Sequence, residues 1–331
     1  MANIILMHLK HWPEGIVSMS VFLNSISSVM IILLITLTGY IFGATKWMQA
    51  QYKPFLEKYL MYLAIPCMCV DGFIRYLSPE ILRGSWKLIL IAFLGLCASY
   101  LLAFIVALLL RLPKKRAGVF VGMCGFSNFL FVGYPMCKEL FGEESVIYVM
   151  LFFISSSFLI FVGCYTAFAW FSETSTGKRF DWNNLFRIFI NAPIISSVIG
   201  IIIVVAGITL PRVLTGFAGY IGSTVSPLAL FYCGFTIYEA GIRNIRIDRG
   251  MAVMLPMRFV ASPLIGYALC RVFDISPLAT SVFVVEMAMP VITILVVLAK
   301  QWDADVEYAA AGIVLSTLAC FIVVPVLILL L

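Results

Sequence analysis

The chain has 331 residues, 63% of them hydrophobic and 11% charged, with a mean hydropathy of +1.08. That balance lies far outside the range of soluble domains and identifies an integral membrane protein. The formal charge of +6 is mostly an orientation signal carried by loop cations, and no nucleic-acid partner follows from it.

Apolar runs of about 20 residues, enough for a helix to cross roughly 30 Å of hydrocarbon, recur along the whole chain. The first, at 21–43, follows a polar start that holds His8 and His11; it has no small-residue cleavage pattern and reads as a retained span. Further spans are expected at 56–76, 87–110, 117–141 and 145–171. A short polar stretch follows, and then spans at 186–207, 217–239, 250–272, 277–300 and 306–331. The nine cysteines lie within apolar runs with no paired framework in the loops, which reads as packing. Asp71, near one end of the second span, reads as a solvated or paired surface acid, and Asn191 before Pro193 as a helix N-cap.

Loops after odd-numbered spans, including the run Lys114, Lys115 and Arg116, carry twice as many Lys and Arg as the opposite side. The excess places those loops in the cytoplasm and both termini outside the cell membrane. With five spans per half, two related halves would point in opposite directions. Ordered matches support such a repeat: "ISSVMIILL" at 26 with "ISSVIGIII" at 195, "AIPCMCVDGF" with "VSPLALFYCGF", Pro135 with Pro290, and Ser155 with Ser316. The expected fold is therefore all-α, with ten transmembrane helices in two inverted five-helix repeats. Residues 1–172 form the first repeat, 173–185 a cytoplasmic linker and 186–331 the second repeat.

Spans four and nine each contain a helix breaker. In "GFSNFLFVGYP", Pro135 lacks the N–H that the Phe131 carbonyl would use, and Gly133 loosens the intervening turn. "EMAMPVIT" repeats the feature at Pro290. Paired breaks at membrane depth mark a transport site, because free backbone there needs protein or a water-filled cavity around it. A new half-helix is expected after each break, with Pro135 and Pro290 near the first helical position and unpaired N–H groups facing an anion. Ser127 and Asn128 are placed to add neutral hydrogen bonds, either to substrate or between helices. Arg258 is expensive in lipid, and either balances substrate charge or pairs with Glu286. Glu286, four residues before Pro290, is either that partner or a proton-coupling group.

The segments "NAPIISSVIGIIIVVAGITLP", "SPLALFYCGFTI", "GFSNFLFVGYP", "MAMPVITILVVLAKQWD" and "AAAGIVLSTLACFIVVPVL" resemble the auxin efflux carrier family of membrane transporters, in its prokaryotic-type branch. The resemblance covers essentially the whole chain from the first span. It implies a scaffold and a transport domain, crossing broken helices four and nine, and secondary transport of organic anions. Two departures stand out. The polar linker is short, and Thr293 stands where relatives often carry an amide after the span-nine proline.

The resulting expectation is alternating-access transport of a small carboxylate, driven by a proton or sodium ion. Ser127, Asn128, Gly133, Pro135, Pro290 and Thr293 form the expected substrate site, and Glu286 and Arg258 the charge-handling pair. A sodium-coupled carrier of related fold and a membrane receptor are the alternatives. No cofactor or metal is expected, since both histidines precede the first span and no catalytic pair emerges. The lipid bilayer is the surrounding partner, and a homodimer is left open.

Overall fold

The computed structural model describes residues 14–171, 192–241 and 247–331. The linker at 173–185, the Asn191 cap and both histidines lie outside the described residues. Among those described there is no strand, and the chain runs as helices. They are α1 (Glu14–Ala44), α2 (Lys53–Tyr59), α3 (Ile65–Tyr76), α4 (Pro79–Leu109), α5 (Lys114–Gly125), α6 (Tyr134–Phe141), α7 (Val146–Phe171) and α8 (Ala192–Val205). After these come α9 (Arg212–Ser223), α10 (Val225–Ala240), α11 (Arg249–Pro256), α12 (Ser262–Val272), α13 (Pro277–Met287), α14 (Leu295–Gln301) and α15 (Val306–Leu330). Among the described residues, six stretches are long and apolar enough to cross a membrane: 26–44, 81–109, 143–171, 212–240, 249–272 and 306–330. Exposed Leu34, Leu101, Ile202 and Ile322 on four of the helices leave apolar surface outward, as a hydrocarbon solvent allows.

Helix starts follow local chemistry. Ser78 accepts a hydrogen bond from Ile81 N at 3.3 Å ahead of Pro79. Asp248 and Asp305 cap α11 and α15 through Met251 N and Tyr308 N, both at 2.9 Å. Arg116, at the start of α5, then joins these two caps, with Nε 2.7 Å from Asp305 and Nη1 2.9 Å from Asp248. One cation thus ties three helix starts together.

Three prolines produce one local device. Five-residue π-turns at Leu60–Ala64, Phe129–Gly133 and Met257–Ala261 each end two residues before a proline: Pro66, Pro135 and Pro263. A proline cannot donate to the carbonyl four residues back. Widening the turn lets the preceding residue bond five back instead: Ile65 N to Leu60 O, Tyr134 N to Phe129 O and Ser262 N to Met257 O. The first and third π-turns join α2 to α3 and α11 to α12 into continuous rods.

Two sets of helix contacts stand out, joined to each other where α6 and α15 lie against α1. α1 lies along α10, and α3 along α8 and α9. α4, α5 and α7 pack together, with α12 and α13 against them and α14 on α15. The α1–α10 crossing is close enough that a Cβ on Gly39 would overlap the Phe231 carbonyl, and one on Gly234 the Thr36 carbonyl. Small residues at both positions let the backbones meet.

Candidate functional site

Two of the helices stop in mid-course, and their open ends touch. α5 ends at Gly125, and Phe126–Asn128 are non-helical before the second π-turn leads into α6. α13 ends at Met287, and residues 288–294 are non-helical before α14. Ser127 and Val291 form an isolated antiparallel bridge, and Asn128 N donates to Pro290 O at 2.7 Å. Val291 N donates to Ser316 Oγ of α15 at 3.0 Å. Each break therefore satisfies part of the other's backbone, as buried irregular chain requires.

Only one of the two prolines sits where the sequence reading put it: Pro135 is the second residue of α6, whereas Pro290 is in no helix. Pro135 lies seven residues beyond Asn128, inside helix, because the π-turn absorbs its missing N–H; the break itself falls earlier, at Phe126–Asn128. Pro290 lies inside the open stretch, five residues ahead of α14, so it is not at that helix's first position. Gly133 closes the widened π-turn with an ordinary helical φ of −64°, so its backbone conformation does not by itself require glycine. It is small because the Glu286 carboxylate lies against it, where any Cβ would overlap Oε2.

A cavity of about 300 Å³ opens beside the crossing. Asn128 and Thr293 reach it from the two breaks, together with Phe129 to Phe131 and Ile292 to Ile294. Its walls are largely apolar, including Phe153, Ile160, Tyr232 and Val297, with Ser157 and Glu57 adding polarity. The Asn128 side chain is 5% exposed, and its amide has only a long contact to Cys233 Sγ at 3.8 Å. Ser127 Oγ is buried with no partner among the described residues, and Ser127 does not line the cavity. The first residues of the π-turn and of the approach to α14 face this space, which is the side where helices expose N–H groups.

A second cavity, of about 150 Å³, sits at the other end of the same helices. Glu57 and Met61 of the first cavity lie near the start of the α2–α3 rod, whereas Met68, Asp71, Arg75 and Tyr76 of the second lie in its later half. Ion pairs fill this second mouth: Arg75 with Asp71 at 2.7 Å, and Lys138 with Glu143 at 2.8 Å. The Tyr76 hydroxyl donates to Glu143 at 2.8 Å. Asp71 is thus a paired acid.

Glu286 and Arg258 do not pair. No described ion pair joins them, and both are buried, at 0% and 1% exposure. Arg258 donates instead to three backbone carbonyls. Glu286 Oε1 accepts from Cys137 Sγ at 3.4 Å, and Oε2 has no partner among the described residues. Sequence reasoning missed Ser316 as a backbone support and Cys137 as the contact of Glu286. The Ser155–Ser316 match was the available signal for the first, and nothing in the sequence pointed to the second.

Residues 24–328 match the family model described as membrane transport protein. An uncharacterised transporter of Methanocaldococcus jannaschii is 24% identical over 306 residues, 89% of this chain and 95% of its own length. An uncharacterised transporter of Methanothermobacter thermautotrophicus is 25% identical over 309 residues, 92% of this chain and 98% of its own. A match across nearly the whole described chain, with two interlocked broken helices at its centre, leads to one conclusion: this protein belongs to the membrane transport protein family, that of the auxin efflux carriers.

Proposed function

We propose that this chain is a secondary transporter that carries a small organic anion across the cell membrane by alternating access. The observation that carries the reading is the cavity lined from both breaks at once, with the under-used Asn128 amide and Thr293 on an otherwise apolar wall. A carboxylate would accept from Asn128 and from N–H groups at the start of the π-turn, while an apolar body would lie against Phe131, Phe153 and Tyr232. Pro290 and Gly133 act by shaping the crossing and Ser127 by holding it, while Pro135 belongs to the helix that leads away from it. The reading includes ten spans in two inverted five-helix repeats, 1–172 and 186–331, with odd-numbered loops cytoplasmic. The open cavity on one side and the ion-paired mouth on the other support one state of an alternating cycle.

Proteoliposomes containing the full chain test it. A thermal-shift screen with monocarboxylates, dicarboxylates and aromatic acids selects candidates, because a ligand that binds only the folded state raises its apparent stability. Labelled uptake of a hit follows. Binding without flux would indicate a receptor, flux lost when choline replaces sodium would indicate the sodium-coupled alternative, and a response confined to amines or sugars would refute the anion reading.

One observation favours proton coupling as the drive. Glu286 is a buried acid without a cation partner among the described residues, and Cys137 is the titratable side chain in hydrogen-bond contact with it. Such an acid is costly in the membrane unless it holds a proton, and it is a natural carrier if its surroundings change between states. Glu286→Gln mimics the protonated form. It is expected to keep substrate exchange and to lose accumulation driven by a pH gradient; continued accumulation would end the coupling idea.

A further inference from the structure

Arg258 is a cation at 1% exposure, on the π-turn between α11 and α12. A guanidinium at that depth needs its charge and its N–H groups answered. No described ion pair includes it, and it does not line the cavity beside the crossing. Its Nε donates to the Met289 carbonyl at 2.7 Å, Nη1 to Cys124 at 2.9 Å and Nη2 to Met287 at 3.0 Å. Those carbonyls belong to two different helix ends. Cys124 is in the last turn of α5, Met287 closes α13, and Met289 lies just beyond.

A helix that stops inside the protein leaves its last carbonyls without donors and carries about half a negative charge at that end. Some are satisfied locally, by Phe126 N on Gly122 O and by Ala288 N on Val284 O and Val285 O. The three that Arg258 takes are not among the carbonyls those turns supply. Two half-charges sum to about one unit, which a single guanidinium balances. Arg258 is therefore answered by backbone from both breaks and not by an acid.

We propose that Arg258 is the positioning residue of the crossing: one planar cation caps the C-termini of α5 and α13 together, fixes their separation, and so sets Ser127 against Val291 and Asn128 against Pro290. Arginine suits this task because its donors fan out in one plane toward three carbonyls. Lysine concentrates its charge and donors at one point and would satisfy only part of the set. The role does not depend on the identity of the substrate.

Amide hydrogen exchange on the purified full chain tests the assignment without any ligand. Arg258→Met is expected to speed exchange by about tenfold or more in peptides covering both 122–132 and 286–295, and to leave α1 and α10 unchanged. Arg258→Lys is expected to give an intermediate increase at both breaks, which is the partial rescue that a merely space-filling role would not produce. Arg271→Gln, removing an exposed cation from α12, is the neutral control. Ser316→Ala is expected to loosen 286–295 alone. If the Met variant does not fold, the Lys and Ser316 variants decide the matter. Wild-type exchange at either break in Arg258→Lys, or an equal rise in α1 and α10, would overturn the assignment.

Discussion

The two breaks solve one problem by different means. The first is three residues long, Phe126–Asn128, and its proline sits further on in a continuous helix behind a π-turn. The second is seven residues long, 288–294, and Pro290 lies within it. The first regains helix at once because Asn128 O accepts from both Val132 N and Gly133 N, at 3.2 and 3.1 Å. The second has no such local closure at Pro290 and Val291, and borrows Asn128 N and Ser316 Oγ. A proline in a membrane helix is thus not a break by itself. What matters is whether the lost bond is recovered within the next turn or from another element.

The contrast is broken most severely at Gly133, where the first break's helix meets the second helix's acid. Gly133→Leu would force its side chain into the Glu286 carboxylate, with a cost of about 3 kcal/mol or more in stability, seen as a lowered melting temperature and lost uptake. Combining it with Glu286→Ala is expected to recover part of that stability, since neighbours in contact are not additive. Full additivity would mean that the two do not touch.

Asn128 sharpens the comparison at the cavity. Its amide has no strong partner among the described residues, so Asn128→Ala is expected to leave thermal stability near wild type and to weaken carboxylate binding about tenfold, roughly 1.4 kcal/mol. Equal binding in a thermal-shift titration would remove Asn128 from the site. At the second break, Ser316→Ala strips the acceptor from Val291 N and should cost about 1 kcal/mol in unfolding experiments. Its sequence counterpart Ser155 supports no break: its hydroxyl donates to Ile89 O at 2.8 Å and ties α7 to α4 instead.

The smallest effect is expected at Pro135, where the sequence alone placed the break. Pro135→Ala restores an N–H inside an existing helix, downstream of the break, and should shift stability by less than about 1 kcal/mol and leave uptake within a fewfold of wild type. A large loss of uptake in Pro135→Ala would show that the π-turn itself, and not the open stretch before it, shapes the site.

Membrane class, helical content and the presence of two interrupted spans follow from composition and from proline placement, because hydrocarbon leaves the backbone no other way to satisfy its polar groups. The same physics explains why Asn128 and Thr293 were legible as residues beside the cavity: polar side chains next to a break have few reasons to be there. Where each break falls was not legible, because a π-turn and an open loop can accompany the same proline signal and only the available donors decide between them. The partners of Arg258 and Glu286 were also hidden. Sequence pairs opposite charges by sign, whereas in the fold α5 and α13 offer bare carbonyls to the arginine, and Gly133 and Cys137 enclose the acid. That choice rests on contacts between residues far apart in the chain, about thirty positions for Arg258 with Met287 and Met289 and 134 for Arg258 with Cys124, and such contacts exist only once the helices have packed.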